Sequence, residues 1–277
     1  MARSETVTYS ILDPTGNITA LVESAVEPGG QPALAAGLMR RHPEVEQVGF
    51  LRPAAPGDEK VACELRMAGG EFCGNASMCA AALCFPEGEE GERTLSLRVS
   101  GAREAVLLRL RRTGEDSFDA AVRMPPALGV QMRAFSFEGL SGELTLVRME
   151  GISHLIVTPD SVFFALREDK AAAERAVREL CETLAAEGLG LLFLEGGAPV
   201  CRMTPLVYVP GSATVFWENA CASGSAAAGM YLAAKQGGKL SLTLHQPGGS
   251  LRAECGPMGE TWLYGSVKLL GRYRIEI

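Results

Sequence analysis

The chain has 277 residues, with 26 Lys+Arg against 33 Asp+Glu, 47% hydrophobic residues, 32 glycines and eight cysteines. Its length fits about two domains, each with a core of its own, and its net charge of −7 provides no basic field for a nucleic acid or an anionic membrane. The opening MARSETVTYS lacks a signal-peptide core and no apolar run approaches the ~20 residues of a bilayer span, so the sequence predicts a soluble, cytoplasmic protein with reduced thiols and a small-molecule partner.

Val7 to Leu12 and Ile18 to Glu23 read as a hairpin around Asp13-Pro14-Thr15-Gly16. Pro32 to Arg41 has helical spacing at Leu34, Leu38 and Met39, and Val45 to Leu51 and Lys60 to Met67 read as strands. The glycine-rich stretch Ala68 to Ala76 leads into a small-residue helix, Ser77 to Phe85, closed by Pro86. Glu87 to Glu92 reads as a loop, Thr94 to Val99, Ala105 to Arg111 and Phe118 to Met124 as strands, and Pro125-Pro126 as a linker. In the second half Leu144 to Met149 and His154 to Thr158 are strand-like. Glu168 to Glu187 carries Ala173, Val177, Leu180 and Leu184 on one face and predicts a long amphipathic helix stopping at Gly188. Strands Leu191 to Leu194, Val200 to Met203 and Ala213 to Trp217 precede an Ala-rich helix, Ala226 to Gln236, ended by Gly237-Gly238. A β meander from Leu240 turns at Gln246-Pro247-Gly248-Gly249.

Two stretches look like copies of each other: Phe72-Cys73-Gly74-Asn75-Ala76-Ser77 and Ala220-Cys221-Ala222-Ser223-Gly224-Ser225. Each sets a cysteine and then tiny or amide residues at the mouth of an Ala-rich helix, with a glutamate, Glu71 or Glu218, shortly before it. They lie about half the chain apart, which predicts a duplicated domain with a pseudo-twofold axis and a cleft where the thiols face each other. A thiol at a helix N-terminus is favoured as thiolate, with a pKa below about 8.5. Unpaired helix N–H groups hold a carboxylate and the charge that spreads onto it when an adjacent C–H is deprotonated. A thiolate on one face of an α-carbon and a thiol on the other would remove and return a proton, inverting the centre without a cofactor.

Cys73 and Cys221 are accordingly expected to open onto the cleft, while Cys63, Cys79, Cys84, Cys181, Cys201 and Cys255 read as core filling. A metal site is not predicted, because Cys73, Cys79 and Cys84 do not pair as C-x-x-C ligands and only His42, His154 and His245 could complement them. No phosphate-binding loop or dinucleotide fingerprint is present. Lysines 60, 170, 235, 239 and 268 sit in charged contexts that suit pyridoxal chemistry poorly.

In these residues the chain resembles the diaminopimelate epimerase family of cofactor-independent enzymes. The matching motifs are Cys73-Gly74-Asn75-Ala76 and Cys221-Ala222-Ser223-Gly224, supported by Gly16-Asn17, Glu46-Gln47, His154, Glu218 and Gly248-Gly249. The resemblance implies a mixed α/β (α+β) fold of two pseudo-symmetric domains. Each would be a curved, mostly antiparallel β-sheet or barrel around a central helix, with the active site in the cleft between them. The domains are expected at 1–125, with the last strand, about 266–277, returning to it, and at 126–265. Carried over by position, Cys73 and Cys221 are the base and acid, His154 and Glu218 tune them, and Asn17, Gln47, Gly74, Asn75, Ala222, Ser223 and Gly224 bind substrate. Gly74, Asn75, Ala222 and Ser223 match the carboxylate donors, and Glu218 an acceptor for the α-amino group.

The departures concern the substrate's far end. The family's Asn-Pro-His is Ile152-Ser153-His154 here, its Glu-Arg is Glu218-Asn219, one asparagine is replaced by Glu64 and another falls near Gly190. Losing the arginine removes the bidentate partner of a distal carboxylate, so Glu64, Ile152 and Asn219 are candidate specificity positions. Asp13-Pro14-Thr15-Gly16-Asn17, Gly69 to Ala76 and Pro205-Leu206-Val207-Tyr208-Val209 are similar to the histidine racemase branch, associated with opine-type metallophore synthesis. The resemblance therefore implies an isomerase acting on histidine, with a diaminopimelate epimerase or a non-catalytic binding protein of the same fold as alternatives, and a monomer or homodimer.

Overall fold

The computed structural model describes residues 6–86, 88–256 and 259–276. Glu87 of the expected acidic loop, and residues 1–5 and 277 of the first expected domain, lie outside that set. Contacts divide the chain into two compact units, one of the residues up to Val122 together with those from Tyr264 on, the other Arg123–Leu263.

In chain order the first unit carries β1 (Thr6–Asp13), β2 (Thr19–Val22), α1 (Gln31–Arg41), β3 (Gln47–Pro53), β4 (Cys63–Met67), α2 (Gly74–Leu83), β5 (Glu92–Val99), β6 (Val106–Gly114) and β7 (Ser117–Met124). The second carries β8 (Gly129–Phe137), β9 (Leu140–Arg148), β10 (Ser153–Val157), α3 (Lys170–Leu184), β11 (Leu189–Gly197), β12 (Val200–Val209), β13 (Thr214–Trp217), α4 (Ala222–Gln236), β14 (Leu240–Gln246) and β15 (Gly249–Cys255). Strand β16 (Thr261–Glu276) returns the chain to the first unit.

The first unit closes into an eight-stranded barrel, β1-β2-β3-β4-β5-β6-β7-β16, with β1 paired to β16. The second builds the sheet β15-β14-β12-β11-β10-β9-β8, with β13 on β12. Each unit repeats one series of connections. The parallel pairs are β2–β3 and β4–β5 in the first, and β10–β11 and β12–β14 in the second. Parallel neighbours need a crossover of about a dozen residues or more, and the four α-helices fill those four crossovers.

The helices divide into two kinds. Helix α3 buries Ala173, Val177 and Leu180 in a core with Phe135, Leu146, Leu155, Leu191 and Phe193, and α1 buries Ala35 and Leu38 against Tyr9, Val22 and Phe50. Both are one-sided, as a surface helix should be. By contrast, α2 is buried from Gly74 to Ala82 and α4 from Ala222 to Met230. A helix made of Ala, Gly, Ser and Cys on every side has no polar face to turn to water and is surrounded by protein. Among the described residues no helix is long and apolar enough to cross a membrane.

Several expected boundaries move. Helices α2 and α4 begin at Gly74 and Ala222, not at Ser77 and Ala226, because each cysteine sulfur accepts an N–H of the first turn and starts the helix at once. Helix α2 also ends at Leu83, short of Phe85. The long helix starts at Lys170, where Asp169 accepts the Ala172 N–H, and ends at Leu184 with Ala185 left-handed, so Gly188 is not its stop. Strand β12 runs past the expected Met203 through Pro205, whose carbonyl still accepts the Glu218 N–H. Strand β8 was not expected: Val130 and Met132 are exposed, so its apolar residues give no buried alternation to read.

Candidate active site

Cys73 is the N-cap of α2, in extended conformation, and its Sγ accepts the Ala76 N–H at 3.4 Å. The loop before it is fixed from behind. Gly101 has φ +74°, and a Cβ there would stand 2.3 Å from the Phe72 nitrogen, so only glycine lets that turn approach so closely. Ser100 next to it donates to the Glu71 carbonyl at 2.8 Å and accepts the Met67 N–H at 2.9 Å. Cys73 is half-buried, and its thiol donates to Gln47 Oε1 at 3.0 Å. The Gln47 amide nitrogen donates to Asn17 Oδ1 and to Thr19 Oγ1. Asn75 Nδ2 also donates to Asn17 Oδ1, and Asn17 Nδ2 donates to Glu46. Thus Asn17, Gln47, Cys73 and Asn75 come together in one polar network around the first turn of α2, which Gly74 opens. Such a network holds its amides in single orientations.

Cys221 repeats the local design. It is the N-cap of α4, its Sγ accepts the Gly224 N–H at 3.3 Å, and Ser223 Oγ lies 3.6 Å away. Ser225 donates to the Cys221 carbonyl at 2.7 Å, as Ser77 does to that of Cys73. Gln246 holds the entry to this helix, accepting the Cys221 N–H at 2.7 Å and donating to Ser225 Oγ at 3.0 Å. The neighbouring Gly248 N–H donates to the Asn219 carbonyl. Gln246 was not singled out in the sequence, although it opens the turn whose Gly248-Gly249 was.

The surroundings of this second sulfur overturn two expectations. Cys221 is only 3% exposed, so it does not open to solvent. Burial, and then the Glu218 carboxylate beside it, push its thiol well above the usual range, and the donors from Ser223 and Gly224 offset this only in part. The helix mouth therefore does not by itself produce a thiolate here. Glu71, the glutamate before the first cysteine, is also raised by burial.

His154 lies on β10, fully buried, and neither ring nitrogen has a hydrogen-bond partner among the described residues. Burial lowers its pKa to about 3, so the ring is neutral. Its neighbour in the parallel register is Gly190, where a Cβ would stand 2.3 Å from Nδ1. The candidate specificity residues scatter. Ile152 is buried with its Cγ1 3.4 Å from where a Gly188 Cβ would stand, and Asn219 is exposed. Glu64 lies between Arg52 and Arg98 on the face of β4 opposite buried Cys63, Leu65 and Met67, away from the Cys73 network.

The family model described as histidine racemase CntK N-terminal domain matches residues 6–268. The chain is 31% identical over 230 residues to a histidine racemase of Fusobacterium nucleatum, covering 80% of this chain and 79% of the relative. It is 27% identical over 249 residues to a histidine racemase of Staphylococcus aureus, covering 89% and 88%. Among solved structures, a probable proline racemase from Agrobacterium radiobacter superposes with a TM-score of 0.67 at 13% identity, covering 97% of this chain and 92% of that one. That likeness is one of fold.

Proposed function

The chain belongs to the histidine racemase family, and from that premise we propose that it interconverts L- and D-histidine with two thiols and no cofactor. The observation that carries the mechanism is the doubled cap: a cysteine sulfur bonded to the first-turn N–H of a buried, small-residue helix in each unit. On this reading each domain, about 1–125 with 266–277 and 126–265, supplies one thiol, and both reach the same α-carbon from opposite faces.

Burial, and then the Glu218 carboxylate, keep Cys221 protonated at neutral pH, which suits it to deliver a proton. Cys73, only half-buried, is then the base in that direction: its proton is released to solvent before the reaction, and the thiolate takes the α-proton. First-turn N–H groups of Gly74, Asn75, Ala222 and Ser223 hold the substrate carboxylate and the charge that develops on it. Glu218 receives the α-ammonium, and Gly224 leaves room for the approach. His154, an uncharged ring, acts from the face of the sheet on which Leu192 meets the second cap. The eight cysteines are free thiols, in keeping with a reducing compartment, the cytoplasm.

Incubation with L-histidine in deuterated water, followed by proton NMR and chiral chromatography, tests this reading. Loss of the Cα–H signal with appearance of D-histidine is expected. Exchange into LL-diaminopimelate with none into histidine would reassign the substrate, and exchange into no amino acid would overturn the reading.

A further inference from the structure

We propose that Gly190 is a positioning residue for this reaction: its missing side chain is what seats the His154 imidazole over β11 beside the first turn of the Cys221 helix. The inference rests on the reading of Cys221 as an acid–base thiol.

The parallel register of β10 and β11 sets His154 beside Gly190. A Cβ at 190 would fall 2.3 Å from His154 Nδ1 and 2.9 Å from Cε1. The ring is fully buried, so it cannot give way as the end of an exposed flexible side chain could. Alternation along β11 puts Gly190 and Leu192 on one face. Leu192 reaches the first turn of α4, its Cδ2 2.8 Å from where a Gly224 Cβ would stand, and the Gly224 N–H is the donor to Cys221 Sγ. The opposite face, with Leu189, Leu191 and Phe193, packs in the α3 core. His154 therefore shares the face on which the Cys221 helix mouth rests.

Two features that normally weaken a strand coincide here. A glycine inside a strand packs nothing and marks a close approach. A buried imidazole with both nitrogens unpartnered among the described residues is an unsatisfied polar group that native proteins rarely keep without a reason. Each accounts for the other: the glycine makes the space, and the ring fills it. A Cβ at 190 and the imidazole in this orientation exclude one another sterically. Position 190 thus decides how the neutral ring sits on the face of β11 that Leu192 shares with the Cys221 helix mouth.

The test uses Gly190→Ala, with Gly188→Ala as its control, since a Cβ at 188 meets only ordinary contacts from 3.4 Å outward. Gly190→Ala should lower kcat in both directions by about a hundredfold, the scale of a misplacement of roughly 1 Å, with little change in KM. Gly188→Ala should not. With three histidines in the chain, the His154 ring resonances are assigned in a ¹H–¹³C spectrum by their loss in His154→Ala. They should shift in Gly190→Ala and stay in place in Gly188→Ala. Unchanged ring resonances or an unchanged kcat in Gly190→Ala would overturn the inference. If Gly190→Ala does not fold, the pair His154→Ala and His154→Ala/Gly190→Ala decides: equal kcat values are expected, and a further loss in the double variant refutes the coupling. A wild-type protein that exchanges no histidine would sink the functional reading instead, while the ring shifts would still report on the positioning.

Discussion

The first turns of α2 and α4 differ less in what holds them than in what surrounds each sulfur. Both cysteines accept an N–H three residues on, and both have a serine hydroxyl on their carbonyl. Around Cys73 the partners are amides: Gln47 accepts from the thiol, and Gln47 is fixed by Asn17, which Asn75 holds in turn. Around Cys221 the sulfur is fully enclosed and faces a carboxylate. A duplicated backbone motif has thus acquired two electrostatic settings, which shows that cap geometry and proton affinity are separable. Asp169 at the start of α3 makes the same bond with an oxygen, to the Ala172 N–H at 3.0 Å, and serves as a purely structural reference for both.

The comparison breaks most sharply if either thiol proves dispensable. Cys73→Ser and Cys221→Ser should each lower α-proton exchange by about 10³-fold, the scale of a lost general acid or base. Because serine is a better N-cap than a thiol, neither variant should unfold more easily in urea. Near-normal exchange in one of them would leave a single-thiol enzyme. The difference in setting is addressed by Glu218→Gln. Removing that carboxylate lets the Cys221 thiol fall, though burial, the larger cause, still holds it up. The alkaline limb of kcat should move to lower pH, and an unmoved limb would detach Glu218 from Cys221.

A smaller effect concerns His154, on the Cys221 side alone. Its folded-state pKa of about 3 lies below the unfolded value near 6.5, so its contribution is complete above that pH and is lost as the solution is acidified toward 3. Between pH 6.5 and 5 the loss is about 1.6 kcal/mol, the slope rising toward about 1.4 kcal/mol per pH unit as the unfolded-state ring becomes protonated. Urea midpoints at the two pH values should differ by correspondingly less in His154→Asn, and an equal acid dependence in both proteins would mean that the ring is not buried neutral. The smallest effect is at the reference cap. Asp169→Ala should cost about 1 kcal/mol of stability and leave exchange untouched; a matching loss of exchange would show that caps in this fold are coupled to the chemistry whatever their atom.

By itself the amino-acid sequence determined the repeated grammar of the two halves, the four helices and most strands, and the two cysteines that stand apart from the other six. Those features are written in short-range patterns: glycine-rich mouths, alanine runs, and alternating apolar residues. The cap network was partly legible too, since Asn17, Gln47 and Asn75 accompany Cys73 in recognisable motifs. Tertiary structure decided what depends on neighbours remote in the chain. It buried Cys221 against Glu218 and reversed the expected thiolate, because desolvation outweighs a helix mouth. It turned Glu64 away from the Cys73 network, because a strand's two faces point apart and only packing says which one faces α2. It also joined His154 to Gly190 through a parallel register that no local pattern encodes, since the two strands meet only after α3 has carried the chain across the sheet.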